Sequence, residues 1–479
     1  MWRMALVAIG FGAAAALWAP AAGADVPGRG KGPVTGVIAE FARERRAAML
    51  RVAEQQGLAV PSEYEELLAA MEAGDWPSAS NRFERIKARI GQYEHSRSDP
   101  ALDNALWPYA QEAAGAFEQA ALWDPDLLDL YAEEMMRAIP EGAVYFGGTD
   151  PGRFVITAYR IVRERPFHVI TQNALADAQY MAYLRETADP ELDIPSPEDC
   201  NGAFQQYVED IQAGRIPAGA EVSIEDGRVS VVGVQGVMMI NGIISRMIFD
   251  RNKDARDFYL EESYVIPWMY PHLEPRGLIM KLNAEPAELT PEIIAKDRAY
   301  WDDLTSRLMN HPAFPGNATA RRTFSKLRAA IAGLYQARRL AAEADYAFRQ
   351  ALALDPYSPE ACFRHADSLM QAGRFDEAAS LIQGLAEHDP ANEHARSFLN
   401  QIRNTQQLTQ RRKELEKKIA GGATPGEARE LLEIYRRLGL TGLAAALQAR
   451  LDEAGGSDEP SHSPDEESSA EEDRPDMPD

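Results

Sequence analysis

The chain is poor in the residues that carry most recognisable chemistry. It has 2 cysteines in 479 residues, Cys200 and Cys362, far apart and in different predicted domains. Neither belongs to a C-x-x-C pair, so nothing supports a disulfide framework, and two free buried thiols are expected. The 8 histidines are scattered, with no i, i+4 pair and no H-E-x-x-H, so no metal ligands are read. A G-x-G-x-x-G fingerprint and a Walker lysine are missing too, and with them the usual nucleotide sites. No residue is assigned as catalytic and no cofactor is expected. Enzyme activity stays open, with the balance against it.

Positive charge is also short. Lys and Arg number 50 against 74 Asp and Glu, a formal charge of −24. Of this, −9 lies in residues 455–479, where ten acids face Arg474 alone and no aromatic occurs. Such a segment cannot bury enough surface to fold, so a disordered acidic tail is expected. The rest is still acidic, which argues against a nucleic-acid binder that tracks phosphates. The basic stretch Arg411 to Lys418 is broken by Glu414 and Glu416, as on a solvated helix face.

Long apolar runs are few. Arg3, the run Met4 to Trp18, and Ala22-Gly23-Ala24 before Asp25 have the form of a secretory signal peptide over residues 1–24. The run is short for a membrane span and Pro20 follows it, although an uncleaved anchor is the alternative. The chain is therefore expected to be exported, periplasmic or secreted. A second run, Val231 to Phe249, carries Gln235, Asn241, Ser245 and Arg246 and reads as a buried helix, not a span. No membrane span is expected after signal removal.

The fold class read from the pattern is α plus α/β. After the signal, residues 25–139 form a helical region, including the pairs Pro61 to Ala73 with Pro77 to Ile90, and Trp107 to Ala121 with Pro125 to Arg137. Ser62 with Glu65 reads as a capping box. Residues 140–290 form a central α/β domain with a short, mostly parallel sheet. Its strands are read at Ala143 to Phe146, Phe167 to Thr171, Phe258 to Glu262 and Leu278 to Leu282. A hairpin is read over Glu221 to Val231, turning at Asp226-Gly227. Helices are expected over Arg153 to Arg163, Ala174 to Thr187 and Gln235 to Phe249.

Residues 291–454 turn helical again and repeat. Asp355-Pro356 recurs as Asp389-Pro390 after 34 residues, Ala332 recurs as Ala366, and Ala344 recurs as Ala378. Small residues suit the close approach of two helices in a hairpin, and Phe348 and Ile382 fill the alternating holes. This register resembles the tetratricopeptide repeat. The second unit, Pro359 to Asn392, carries Ala366, Leu369, Gly373, Phe375, Ala378, Leu385 and Pro390 at the family's positions. The first carries Ala332, Tyr335, Ala344, Phe348, Ala351 and Pro356 but has Arg339 where glycine is usual. Asn392 to Ile402, Pro425 to Leu438 and Thr441 to Ala454 are expected to extend and cap the stack.

The resemblance implies a groove for a protein or peptide partner, lined by the first helix of each unit. Carried over by position, the groove residues are Phe363, Arg364, Asp367, Met370 and Gln371, with Gln336 beside Ala329, Ala330, Gly333 and Ala337 in the first unit. The alternative is that the chain's own α/β domain fills this groove. Oligomeric state is not readable.

A second candidate site is the turn Gly147-Gly148-Thr149-Asp150-Pro151-Gly152-Arg153-Phe154. A strand enters it and a helix leaves it, so backbone N–H groups could face an anion, with Arg153 adding charge and Asn173 near by. Asp150 as a plain helix cap is the competing view. The segment from Ile139 to Met181 also resembles part of the soluble domain of protein O-mannosyltransferase-like membrane glycosyltransferases. Asp150, Phe154 and Arg165-Pro166 fall on that pattern, and its second acid falls on Gly152. The multi-span catalytic part is missing, so the resemblance implies a related accessory fold. A carbohydrate- or anion-binding module, or an enzyme of envelope glycan metabolism, is the alternative function at this turn. Glu261 and Glu262, adjacent on a strand, should point to opposite faces.

Overall fold

A computed structural model describes residues 33–90, 99–102, 104–215, 221–225, 228–232, 234–420 and 424–455. The signal segment, the Asp226-Gly227 turn and all of the acidic tail after Gly455 lie outside the described residues. The chain divides into two compact units, Met1–Ser368 and Leu369–Asp479.

The first unit begins with α1 (Pro33–Gln56), α2 (Ser62–Glu72), α3 (Trp76–Arg89), α4 (Trp107–Leu122) and α5 (Pro125–Ala138). Proline lies in the first turn of four of these, where its missing N–H costs nothing. Asp75 and Asp124 cap α3 and α5 through their side chains. The capping box expected at Ser62 does not form. Pro61 holds the cap position, one residue earlier, and the Ser62 hydroxyl donates to Glu63 instead.

The central sheet has the order β2-β1-β5-β7-β6. Its strands are β1 (Val144–Gly147), β2 (His168–Thr171), β5 (Phe258–Leu260), β6 (Leu273–Arg276) and β7 (Ile279–Leu282). The strands β1–β2 and β1–β5 run parallel, but β5–β7 and β6–β7 run antiparallel. The sheet is therefore mixed, not mostly parallel. The reason is local. Arg276 pairs with Ile279 across Gly277, whose φ is +66°, and so tight a turn can only reverse the chain. Pro275 hid β6 from the sequence, because proline removes a ladder donor. It is tolerated here because β6 is an edge strand.

Between β1 and β2 lie a single π turn (Pro151–Val155) and α6 (Ile156–Val162), in place of one continuous helix. A 3₁₀ turn (Gln172–Ala174) and α7 (Ala178–Thr187) follow β2. A helix that the sequence reading passed over, α8 (Pro197–Gln212), opens with a capping box from Ser196 and Asp199. The pair β3 (Glu221–Glu225) and β4 (Arg228–Val232) forms a separate two-stranded sheet, and α9 (Val234–Asn252) returns to the core. No described helix is long and apolar enough to cross a membrane.

The unit ends with α10 (Pro291–Met309), α11 (Ala318–Ala337), α12 (Ala341–Leu354) and most of α13 (Pro359–Gln371). Ala332, Ala344, Ala366 and Phe348 are fully buried, as the repeat register requires. Arg339 stands where glycine is usual and adopts φ +60°; Gly373, its counterpart, has φ +74°. The turn geometry is kept even though the residue is not.

The second unit contains α14 (Phe375–His388), α15 (Glu393–Ala420), α16 (Pro425–Arg437) and α17 (Thr441–Gly455). α15 runs well past the expected end at Ile402, because Gln, Arg, Lys and Glu dominate the added turns and all favour helix. Leu415, Leu431, Leu432 and Tyr435 form a small core of their own, and Thr424 with Glu427 closes a capping box on α16.

Candidate functional site

The Gly147–Phe154 turn does gather anion-binding donors, and the chain supplies the anion itself. The Glu261 side chain, just past β5, is fully buried in the turn. Its Oε2 accepts from the backbone N–H of Gly148 (3.2 Å) and of Thr149 (2.9 Å), and from Tyr145 Oη (3.4 Å). Its Oε1 accepts from Thr149 Oγ1 (2.7 Å) and Tyr131 Oη (3.2 Å). These donors are all neutral: two backbone N–H groups and three hydroxyls. Burial first, then the Glu261 charge, pushes the Tyr131 and Tyr145 phenols well above their ordinary pKa, which keeps both as donors.

Glycine is required for this seat. A Cβ on Gly152 would lie 1.5 Å from Glu261 Oε2, and one on Gly148 would lie 2.3 Å from the Glu261 backbone oxygen. The room that a side chain would need at Gly152 is taken by an acid from another part of the chain.

The six candidate residues of this site do come together, but each is engaged within the fold. Gly147 ends β1, packed against Gly152 and Arg153. Asp150 stands at the cap position of the π turn, but its side chain makes no cap hydrogen bond. Its Oδ1 accepts from Arg153 Nη2 at 2.6 Å, and the guanidinium lies 4.3 Å from the centre of the Phe154 ring. Asn173 donates to the Gly148 carbonyl (2.8 Å) and accepts from Ser263 Oγ (2.9 Å). The sequence reading missed Glu261 as the turn's occupant, and Tyr131, Tyr145 and Ser263 as its surroundings. The one available signal was an acid directly after an apolar strand.

Glu262 points the other way, as the strand alternation requires, and meets the repeat helices. Its Oε1 accepts from Arg364 Nη2 (2.6 Å) and its Oε2 from Tyr270 Oη (2.6 Å). Arg338 donates to the Pro271 carbonyl at 2.7 Å. A Cβ on Gly333 would lie 2.8 Å from Arg364 Nη1, and Ala329 and Ala330 are buried. Within the first unit the groove floor is thus covered by the chain's own Glu262–Pro271 segment, and Arg364 is not open to a partner. Burial works against the Arg364 charge, but Glu262 and Glu360 together raise its pKa above the ordinary value. Gln336 and Asp367 are bonded to each other at an exposed edge (3.4 Å), and Phe363 is half-buried. In the second unit Met370 is half-buried and Gln371 exposed. No group of three or more metal-ligating side chains occurs among the described residues.

A titratable group outside both sites sits on β2. His168 Nε2 lies 3.1 Å from Arg256 Nη1, and because arginine only donates, this nitrogen must be the unprotonated acceptor. Burial, then Arg256 and Arg160, lower the His168 pKa against the pull of Asp189. The unfolded chain therefore binds this proton more readily. The contribution is fully present above about pH 6.5 and is lost as the pH falls through the lower folded value. Melting temperature measured from pH 7.5 to 5 should fall less in His168→Gln than in the parent. Parallel curves would remove His168 as the cause.

Residues 335–402 match the tetratricopeptide repeat family. This protein contains tetratricopeptide repeats. The match spans the end of α11, all of α12, α13 and α14, and the first turns of α15. No curated protein and no solved structure matches the chain.

Proposed function

We propose that the protein is an exported scaffold that binds a protein or peptide partner through its tetratricopeptide repeats. The repeat match over residues 335–402 carries this reading, since such repeats generally mediate protein contacts. Because the groove floor within Met1–Ser368 is already covered, the partner surface is assigned to the repeat helices beyond Leu369. There a cleft of about 490 Å³ is lined by Ala379, Ser380 and Gly384 of α14 and by Arg403 and Gln406 of α15.

Gly384 provides the test. Nothing lies within 4 Å of where its Cβ would be, and glycine inside a helix costs about 1 kcal/mol relative to alanine. Gly384→Arg should therefore keep or raise the melting temperature while filling the cleft. A photo-crosslinking residue at Gln383 of the full-length protein should trap one partner in the envelope. That partner, once purified, should bind the parent and not Gly384→Arg. Equal binding to both proteins would refute the assignment.

Export rests on Arg3, the Met4 to Trp18 run and the Ala22-Gly23-Ala24 site. The mature protein should begin at Asp25 by intact mass, and a retained Met1 would overturn cleavage there. The resemblance at Asp150, Phe154 and Arg165-Pro166 supports an accessory fold related to the soluble domain of those glycosyltransferases, without its transferase activity. The alternative of a carbohydrate or anion site in the turn itself loses support, because Glu261 already takes the donors there.

A further inference from the structure

One helix away from that turn, a cavity of about 360 Å³ opens along the outer edge of β2, between α1, α4, α6 and α7. Its lining includes three arginines, Arg45, Arg51 and Arg160, and His168. Two acids oppose them. Glu112 is taken by Arg45 Nη1 (3.1 Å) and Tyr183 Oη (2.8 Å), and Glu186 is exposed and accepts from Gln56 Nε2 at 3.3 Å. Arg160 is different. Its Nε donates to the Phe167 carbonyl, and among the described residues no carboxylate lies within 4.0 Å of its guanidinium. Burial, then the neighbouring Arg45, lower the Arg160 pKa against the pull of Glu112 and Tyr183.

The strand edge adds a donor. His168 gives its N–H to Ala143 on the β1 side, whereas Thr171 turns its N–H outward to Tyr180 Oη (2.6 Å). The alternation of a parallel strand turns the N–H of Val169 to the same outer edge. Val52, Ile161, Leu192 and the Tyr109 ring supply apolar walls. The volume lies at the lower end of the range for small-molecule pockets, which pair such walls with a few convergent polar groups.

We propose that this cavity binds a small organic anion, a carboxylate or phosphate head on a ring-sized apolar body. Arg160 takes the head in its planar fork, Arg45 and the Val169 N–H add donors, and the body lies against Tyr109 and the aliphatic walls. Arginine suits either head, because both match the guanidinium geometry. The site is independent of the repeats and of the partner they bind.

The test is titration calorimetry on the full-length protein with phenylacetate, phenyl phosphate and the neutral phenylacetamide. At least one anion should bind with one-to-one stoichiometry, and the two heads show whether carboxylate or phosphate is preferred. The amide should bind at least about tenfold more weakly, as for the loss of one charge-assisted contact. Arg160→Gln should weaken the anion by a similar factor, and Glu112→Gln, which removes an opposing charge, should tighten it. Arg51, on the exposed rim, provides a second variant if Arg160→Gln fails to fold; Arg51→Gln should also weaken the anion. Absence of binding by either anion up to about 10 mM would overturn the proposal. So would an amide as tight as the anions, or equal affinity in both arginine variants.

Discussion

Glu261→Ala is expected to destabilise the first unit by about 3 kcal/mol or more, the cost of leaving several buried donors without an acceptor. Five donors converge on this side chain: two backbone N–H groups, the Thr149 hydroxyl and two tyrosine hydroxyls. Alanine would leave them without an acceptor in a place that excludes water, and each orphaned donor costs about 1–3 kcal/mol before relaxation. Glu261→Gln separates charge from shape. It keeps one acceptor oxygen but sets an NH₂ group against donors, so it should fall between the parent and alanine. Urea unfolding followed by circular dichroism reads both. A loss below about 1 kcal/mol for alanine would mean that water replaces the carboxylate, and that the turn is a solvated site after all.

The second large effect is expected at Arg328, in the first helix of the repeats. Arg328 and Asp297 are each about 1% exposed at the side chain and are 2.7 Å apart. Tyr335 Oη donates to the same Asp297 oxygen at 2.7 Å, Gln350 accepts from Arg328 Nε at 2.8 Å, and the guanidinium lies 5.1 Å from the Trp301 ring centre. Arg328→Met should cost about 3–5 kcal/mol, because it strands a carboxylate in the core. Adding Asp297→Asn should recover most of that loss, since the charge goes while Tyr335 keeps an acceptor. A double variant as unstable as the single one would place the cost in the packing against Trp301 rather than in the ion pair.

The parts of the fold that were legible in the sequence are those where local pattern and tertiary role agree. The apolar runs at Val144 and His168 became strands, and the 34-residue recurrence of Asp355-Pro356 at Asp389-Pro390 marked the repeats. The misreadings have physical causes. Pro275 speaks against a strand until it is known that β6 lies at an edge. Arg339 looks like a lost glycine until its positive φ is seen. The donors of the Gly147 turn could be read from residues 147–149, but their acceptor could not. Nothing local separates Glu261 from Glu262, and only the pairing of β5 with β1 decides which of them enters the turn. Likewise Arg364 occupies a groove position in the repeat, and only the return of the Glu262–Pro271 segment shows that it is already bound.

The seat of Glu261 also has a consequence for how the chain reaches its native state. Thr149 and Tyr131 lie 112 and 130 residues before the acid that joins them. Closing so long a loop brings no return until β5 has docked beside β1, and contacts of this separation slow folding. Until then Gly148, Thr149 and the two tyrosines must remain hydrated, and the carboxylate enters as one of the last pieces. Weakening it should then speed unfolding far more than it slows refolding, so the network acts chiefly as a latch on the lifetime of the folded protein.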